Sequence, residues 1–176
     1  MPGKKMLITV RVITKVLGII FLVGGIGLLL IGGLLRLIIG PVEFPDTEEI
    51  MMIGLAALFV IFQYIPFGLM IIGGFLTISA LIHLLISGLI ACFNDYELVK
   101  QKSKTYLLII SAILIGIILL PSILLMISLC LNDNGIGAKI AGVFFILIIN
   151  SIHGLMLGFI FTARSRILNY KEEVII

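Results

Sequence analysis

The sequence predicts an all-α, polytopic membrane helical bundle: four transmembrane helices with N and C termini cytoplasmic, plus a short extra apolar helix before span two. Three observations predict it. Of the 176 residues 61% are hydrophobic and only 12% charged, with a mean hydropathy of +1.35, more apolar surface than a soluble domain can bury. The charges gather between apolar runs, each long enough to cross about 30 Å of hydrocarbon at about 1.5 Å per helical residue. Four crossings put Lys4, Lys5, Arg11, Lys15, Lys100, Lys102, Lys104, Arg164, Arg166 and Lys171 on one side, and only Arg36 and Lys139 on the other. An excess of Lys and Arg marks the cytoplasmic side.

Span one, about 16–36, is the charge-free run from Val16 to Leu35 closed by Arg36. Ahead of it Lys4, Arg11 and Lys15 fall at i, i+7 and i+11, one helical face, which reads as a basic interfacial lead-in. The run is too long and too glycine-rich for a cleaved signal peptide and has no clear small-x-small cleavage site, so it reads as an uncleaved signal anchor. Gly40 to Glu49 is an acidic turn with two prolines, and Thr47 followed by Glu48 and Glu49 suits a helix start.

The next charge-free run, Ile50 to Asn94, is about twice the length one crossing needs. Pro66, followed by Gly68, Gly73 and Gly74, is the break signal, because proline removes a backbone donor. Span two is therefore placed at about 69–93, and residues 50–66 are re-entrant, interfacial or a helix extension. A fifth crossing there would divide the basic residues about evenly, so four crossings is preferred. A polar loop, Asp95 to Lys104, leads to span three at about 106–131, where Pro121 predicts a kink whose freed carbonyl Ser122 or a neighbouring helix satisfies. Asn132 to Gly135 reads as a turn. Span four, about 140–163, ends at Arg164 and Arg166. The whole chain, 1–176, is one transmembrane domain.

Helices in lipid associate by close packing, so small residues mark where they touch. In span one these are Gly18, Gly25 and Gly32, seven apart; in span three Ala112 and Gly116; in span four Ala138 with Gly142 and Gly154 with Gly158. They serve contacts within the bundle or between copies.

The two histidines are the sharpest polar feature. His83 lies ten residues before Phe93 and His153 ten before Ala163, on helices that run the same way, which sets both near mid-membrane. Ser79 and Ser87 flank His83 at i−4 and i+4, and Asn150 is three residues before His153. A polar group at that depth is costly unless paired, so both stripes are expected to face the interior. Interhelical hydrogen bonding is the leading reading. A proton or ion path is the second, since imidazole titrates near neutral pH, although no intramembrane carboxylate or lysine assists it. A b-type haem held by both rings is the third.

Catalysis finds no foothold: HExxH, CxxC, Gly-x-Ser-x-Gly and Walker patterns are absent from the sequence. The acidic cluster Glu43, Asp46, Glu48 and Glu49 reads as a solvated turn and not as a metal site. Cys92 and Cys130 fall on opposite membrane faces and cannot pair within one chain; Cys92, at the cytoplasmic edge, is a candidate for acylation. Val174, Ile175 and Ile176 have the form of a strand-adding C-terminal ligand. Basic charge placed at helix ends points to topology and not to nucleic acid. The sequence thus leads to a non-enzymatic four-span accessory or scaffold subunit with no cofactor, in contact with lipid and with other transmembrane proteins or itself. A channel or transporter, or a bis-histidine haem protein, is the alternative.

Overall fold

The computed structural model describes residues 3–39, 53–96, 101, 103–131 and 136–170, with side chains described throughout except at 53–63, 125, 126, 129–131, 136–138, 141, 145 and 149. Four helices account for nearly all of it: α1 (Lys4–Ile39), α2 (Ile53–Asn94), α3 (Tyr106–Leu131) and α4 (Ile136–Leu168). No strand occurs among the described residues. Each helix contains a stretch long and apolar enough to cross a membrane: Lys4–Ile39, Tyr64–Asn94, Tyr106–Leu124 and Gly142–Leu168. The acidic turn, the Asn132 to Gly135 turn and the C-terminal Val174 to Ile176 lie outside the described residues, and the Cys130 side chain outside the described side chains.

Two helices run beyond the spans read from the sequence, because bilayer thickness sets the length of a crossing and not the length of a helix. The basic lead-in and span one form one helix: α1 runs without interruption from Lys4 into the span. Its Leu7, Val10 and Thr14 are fully buried, three- and four-residue steps that form a packing stripe. Similarly, α2 is continuous from Ile53 through Pro66 to Asn94, so residues 53–62 prolong the crossing helix along its axis. Proline is tolerated within membrane helices because neighbours supply alternative partners for the freed carbonyl.

The chain forms two compact units, residues 17–81 and residues 1–16 with 82–176. In the first, α1 and α2 cross at glycines. A Cβ on Gly25 would stand 2.8 Å from the Gly73 carbonyl oxygen and 2.5 Å from Thr77 Oγ1. One on Gly73 would meet the Gly25 carbonyl oxygen at 2.7 Å, and one on Gly32 the Pro66 carbonyl oxygen at 2.8 Å. Only hydrogen fits there, so the two backbones touch directly, which is how helices gain dispersion energy in a solvent as apolar as themselves. Thr77 donates to its own Gly73 carbonyl at 2.8 Å, so the hydroxyl costs nothing at the contact. The Arg36 guanidinium stacks over the Phe67 ring, 4.7 Å from its centroid, at the end of α1.

The second unit packs Leu7 and Val10 of α1, Ile86, Ile90 and Phe93 of α2, Leu108, Ala112 and Ile115 of α3, and Met156, Ile160, Ala163 and Ile167 of α4 into its core. Each set repeats at three- and four-residue steps, one helical face per element. Gly3, at φ +82°, lies against the Ala163 backbone, so α1 begins beside the end of α4. A Cβ at Gly3 would come within 3.0 Å of Ala163 Cα, and the left-handed φ itself favours glycine. Outward-facing positions such as Val23, Leu37, Ile71, Ile113 and Leu155 are aliphatic and exposed. Water would penalise such a surface; lipid does not.

Candidate functional site

The polar residues of the second unit come together in pairs between helices. α2 carries His83 and α4 carries His153, and both rings are buried, at 0% and 2% exposure. Their Nε2 atoms are 3.1 Å apart, with ring centroids 5.3 Å apart and planes inclined at 65°. One proton lies between two nitrogens, so one ring donates from Nε2 while the other accepts there and carries its own proton on Nδ1. A hydrogen bond at this contact requires one ring protonated and the other bare at Nε2, and it links α2 to α4. Ser79 and Ser87, one turn to either side on α2, are also buried. Ser87 Oγ donates to the Arg11 carbonyl of α1 at 3.3 Å, so the stripe on α2 reaches two helices.

A second polar pair joins α3 to α4. Ser122 Oγ donates to Asn150 Oδ1 at 2.6 Å and lies within hydrogen-bond distance of the Leu119 carbonyl, at 2.7 Å. A hydroxyl has one proton, so these two acceptors share it. Ser122 thus bonds the carbonyl three residues before it and the facing helix, and not the carbonyl freed by Pro121. Asn150 is spent on α3 and does not join the histidine pair.

Sequence reasoning missed the cap of α2. Gln101, in the segment read as a polar loop, is buried at 1% exposure. Its amide donates to the Tyr96 carbonyl at 2.8 Å and the Phe93 carbonyl at 3.3 Å. The Phe93 carbonyl, in the last turn of α2, also accepts the Tyr96 N–H at 3.3 Å, and Tyr96 lies just beyond the helix, so Gln101 ties the chain to the end of α2. Nearby, the Lys104 ammonium sits 5.6 Å from the Tyr106 ring centroid and 5.9 Å from that of Tyr96. No periodicity in the sequence announces either feature.

The small residues divide. Gly25 and Gly32 line the α1–α2 crossing, Gly18 is buried, Ala112 is in the core and Gly142 is half-buried; Ala138 lies outside the described side chains. Gly116, Gly154 and Gly158 are exposed, with nothing within 4 Å of where a Cβ would stand. Among the described residues nothing stands over them, because the spacing of small residues does not fix which way they face. Cys92 is a free, exposed thiol near the end of α2.

The pair as it stands does not fit a haem. Two metal–imidazole bonds of about 2.0 Å set on opposite sides of an ion hold their nitrogens about 4 Å apart, whereas these nitrogens meet at 3.1 Å. Among the described residues no group of three His, Cys, Asp or Glu is placed to hold a metal ion.

Fold and polar pairs together define a helical, multi-pass membrane-type chain whose interior polar groups join helix to helix. No protein-family model, curated protein sequence or solved structure matches it.

Proposed function

We propose that the chain is a non-enzymatic integral membrane protein, with both termini cytoplasmic, that serves as an accessory or scaffold subunit packing against itself or other membrane proteins. One observation carries the reading: α4 presents Gly154 and Gly158 outward, at i and i+4, with open space over both. Among the described residues the glycine crossing within the chain runs through other positions, Gly25, Gly32 and Gly73, which leaves this notch open. A notch of small residues lets a second helix approach closely. The polar interior supports the same reading, since His83 with His153 and Ser122 with Asn150 engage each other across helices and act as glue. The start of α1 beside the end of α4 agrees with termini on one side, and the basic residues select the cytoplasm.

Native mass spectrometry in mild detergent tests this. A defined complex, of copies or with another membrane chain, that is lost in Gly154→Leu/Gly158→Leu is the expected result. A monodisperse wild-type monomer overturns it. Proteoliposome flux that disappears in His83→Leu/His153→Leu would replace the reading with a channel or carrier.

A further inference from the structure

We propose that Tyr96 and Tyr106, with Lys104 between them, form a binding site for the phosphocholine headgroup of a membrane phospholipid. The three side chains converge where α2 has just ended and α3 begins. The Lys104 ammonium stands 5.9 Å from the Tyr96 ring centroid and 5.6 Å from that of Tyr106, within the roughly 6 Å over which a ring face attracts a cation. Two rings on one cation make a cation site, filled here by the chain's own lysine. Both rings stay reachable, Tyr96 at 37% and Tyr106 at 46% exposure. The backbone that carries them is held. Gln101, itself buried, donates its side-chain amide to the Tyr96 carbonyl at 2.8 Å, while its own carbonyl accepts the Lys104 N–H at 3.1 Å. One buried residue thus fixes Tyr96 and Lys104 together, which leaves less to order when a ligand binds.

The chemistry of the site selects the ligand. A lysine ammonium is a compact, strongly hydrated charge, so it gives up favourable hydration when it lies against rings. A trimethylammonium group has no N–H to hydrate, and ring faces are its general means of recognition. It therefore displaces Lys104, whose flexible stem lets the ammonium swing to the phosphate that the headgroup's short ethyl link sets beside the rings. A phosphoethanolamine headgroup offers another primary ammonium and has no such advantage. The acyl chains have a path as well. Ile109, Ile110, Ile113 and Ile117 are exposed and follow Tyr106 at i+3, i+4, i+7 and i+11, one face of α3 leading from the headgroup into the apolar run. That face selects a phospholipid over free phosphocholine, which would use the rings alone. Tyrosines at the end of a span lie at headgroup level.

The inference rests on the membrane placement proposed above. Carbonate extraction reads that placement separately: a chain released from the membrane fraction refutes placement and site together, whereas a retained chain with no headgroup preference overturns the site alone. Purified full-length protein is mixed with equal amounts of phosphatidylcholine and phosphatidylethanolamine bearing the same acyl chains, and bound lipid is counted by native mass spectrometry. Wild type is expected to retain phosphatidylcholine in excess. Tyr96→Leu and Tyr106→Leu should each lower the ratio of the two lipids about threefold, the loss of one exposed cation–ring contact. Tyr96→Phe and Tyr106→Phe, which keep a ring face, should leave it unchanged, as should Tyr64→Leu at the other end of the α2 span. Equal retention of the two lipids by wild type overturns the site whether or not the variants fold. So does a preference that survives both leucine variants, or one that the phenylalanine variants lose to the same extent. Free phosphocholine at the concentration of the lipid should not displace it; displacement would overturn the assignment to a phospholipid.

Discussion

Replacing Gly25 by alanine adds one methyl where α1 and α2 leave no room for it. On the present backbone that Cβ would stand 2.5 Å from Thr77 Oγ1 and 2.8 Å from both the Gly73 carbonyl oxygen and the Thr77 nitrogen, where ordinary contact begins at 3.4 Å. Two of those atoms are backbone, so no rotamer change relieves the clash and the helices must part by about half an ångström. Overpacking of this kind costs about 1–3 kcal/mol. Against it, alanine in place of a helical glycine returns at most about 1 kcal/mol. Gly25→Ala should therefore destabilise the chain by about 0–2 kcal/mol. Gly24→Ala and Gly27→Ala have nothing within 4 Å of the new atom and should be neutral or stabilising. The three sites share one helix, so differences in propensity and insertion largely cancel. Reversible unfolding in mixed micelles or bicelles reads the difference between Gly25→Ala and Gly24→Ala, expected at about 1–3 kcal/mol. Equal stabilities would refute the glycine crossing.

Three further outcomes follow from the polar contacts. His83→Leu and His153→Leu each strip the other ring of its Nε2 partner in a dry interior and should cost about 1–3 kcal/mol; the double variant should fall short of their sum by about 0.5–1.7 kcal/mol, and strict additivity in the cycle would contradict the pair. Gln101→Leu removes the donor from the Phe93 and Tyr96 carbonyls, so amide exchange over residues 90–96 should accelerate about tenfold, for about 1.4 kcal/mol of lost protection; unchanged exchange would refute the cap. Phe67→Leu takes away the ring under Arg36 and should cost about 0.5–1 kcal/mol, an effect absent when Arg36 is already glutamine.

The four helices were legible because apolar length and flanking charge are local properties of the chain. Their true extents were not, since nothing in a hydropathy run separates the part of a helix that crosses lipid from the part that continues beyond it. The signal for α1 was nevertheless present: Leu7, Val10 and Thr14 repeat at packing steps between the lysines and arginine that drew attention to the other face. Glycine spacing showed that Gly25 and Gly32 share a face. It could not show that Gly73 lies opposite, because pairing between helices is non-local, nor that Gly154 and Gly158 face outward. Counting ten residues back from each helix end set the histidines level. Their rings in fact touch, which a count along separate helices cannot reveal. Gln101 was illegible, since a glutamine among lysines looks solvated until the helix end it caps is in view.

The central claim is that an Nε2-to-Nε2 hydrogen bond between His83 and His153 joins α2 to α4 inside the membrane. ¹⁵N-histidine magnetic resonance of the full chain in lipid tests it most directly, as there are only two histidines to assign. The account predicts two distinct rings, one carrying its proton on Nδ1 alone and the other donating from Nε2, with a nitrogen–nitrogen coupling through the shared proton that vanishes in either single leucine variant. Two rings of the same tautomer with no such coupling would contradict it.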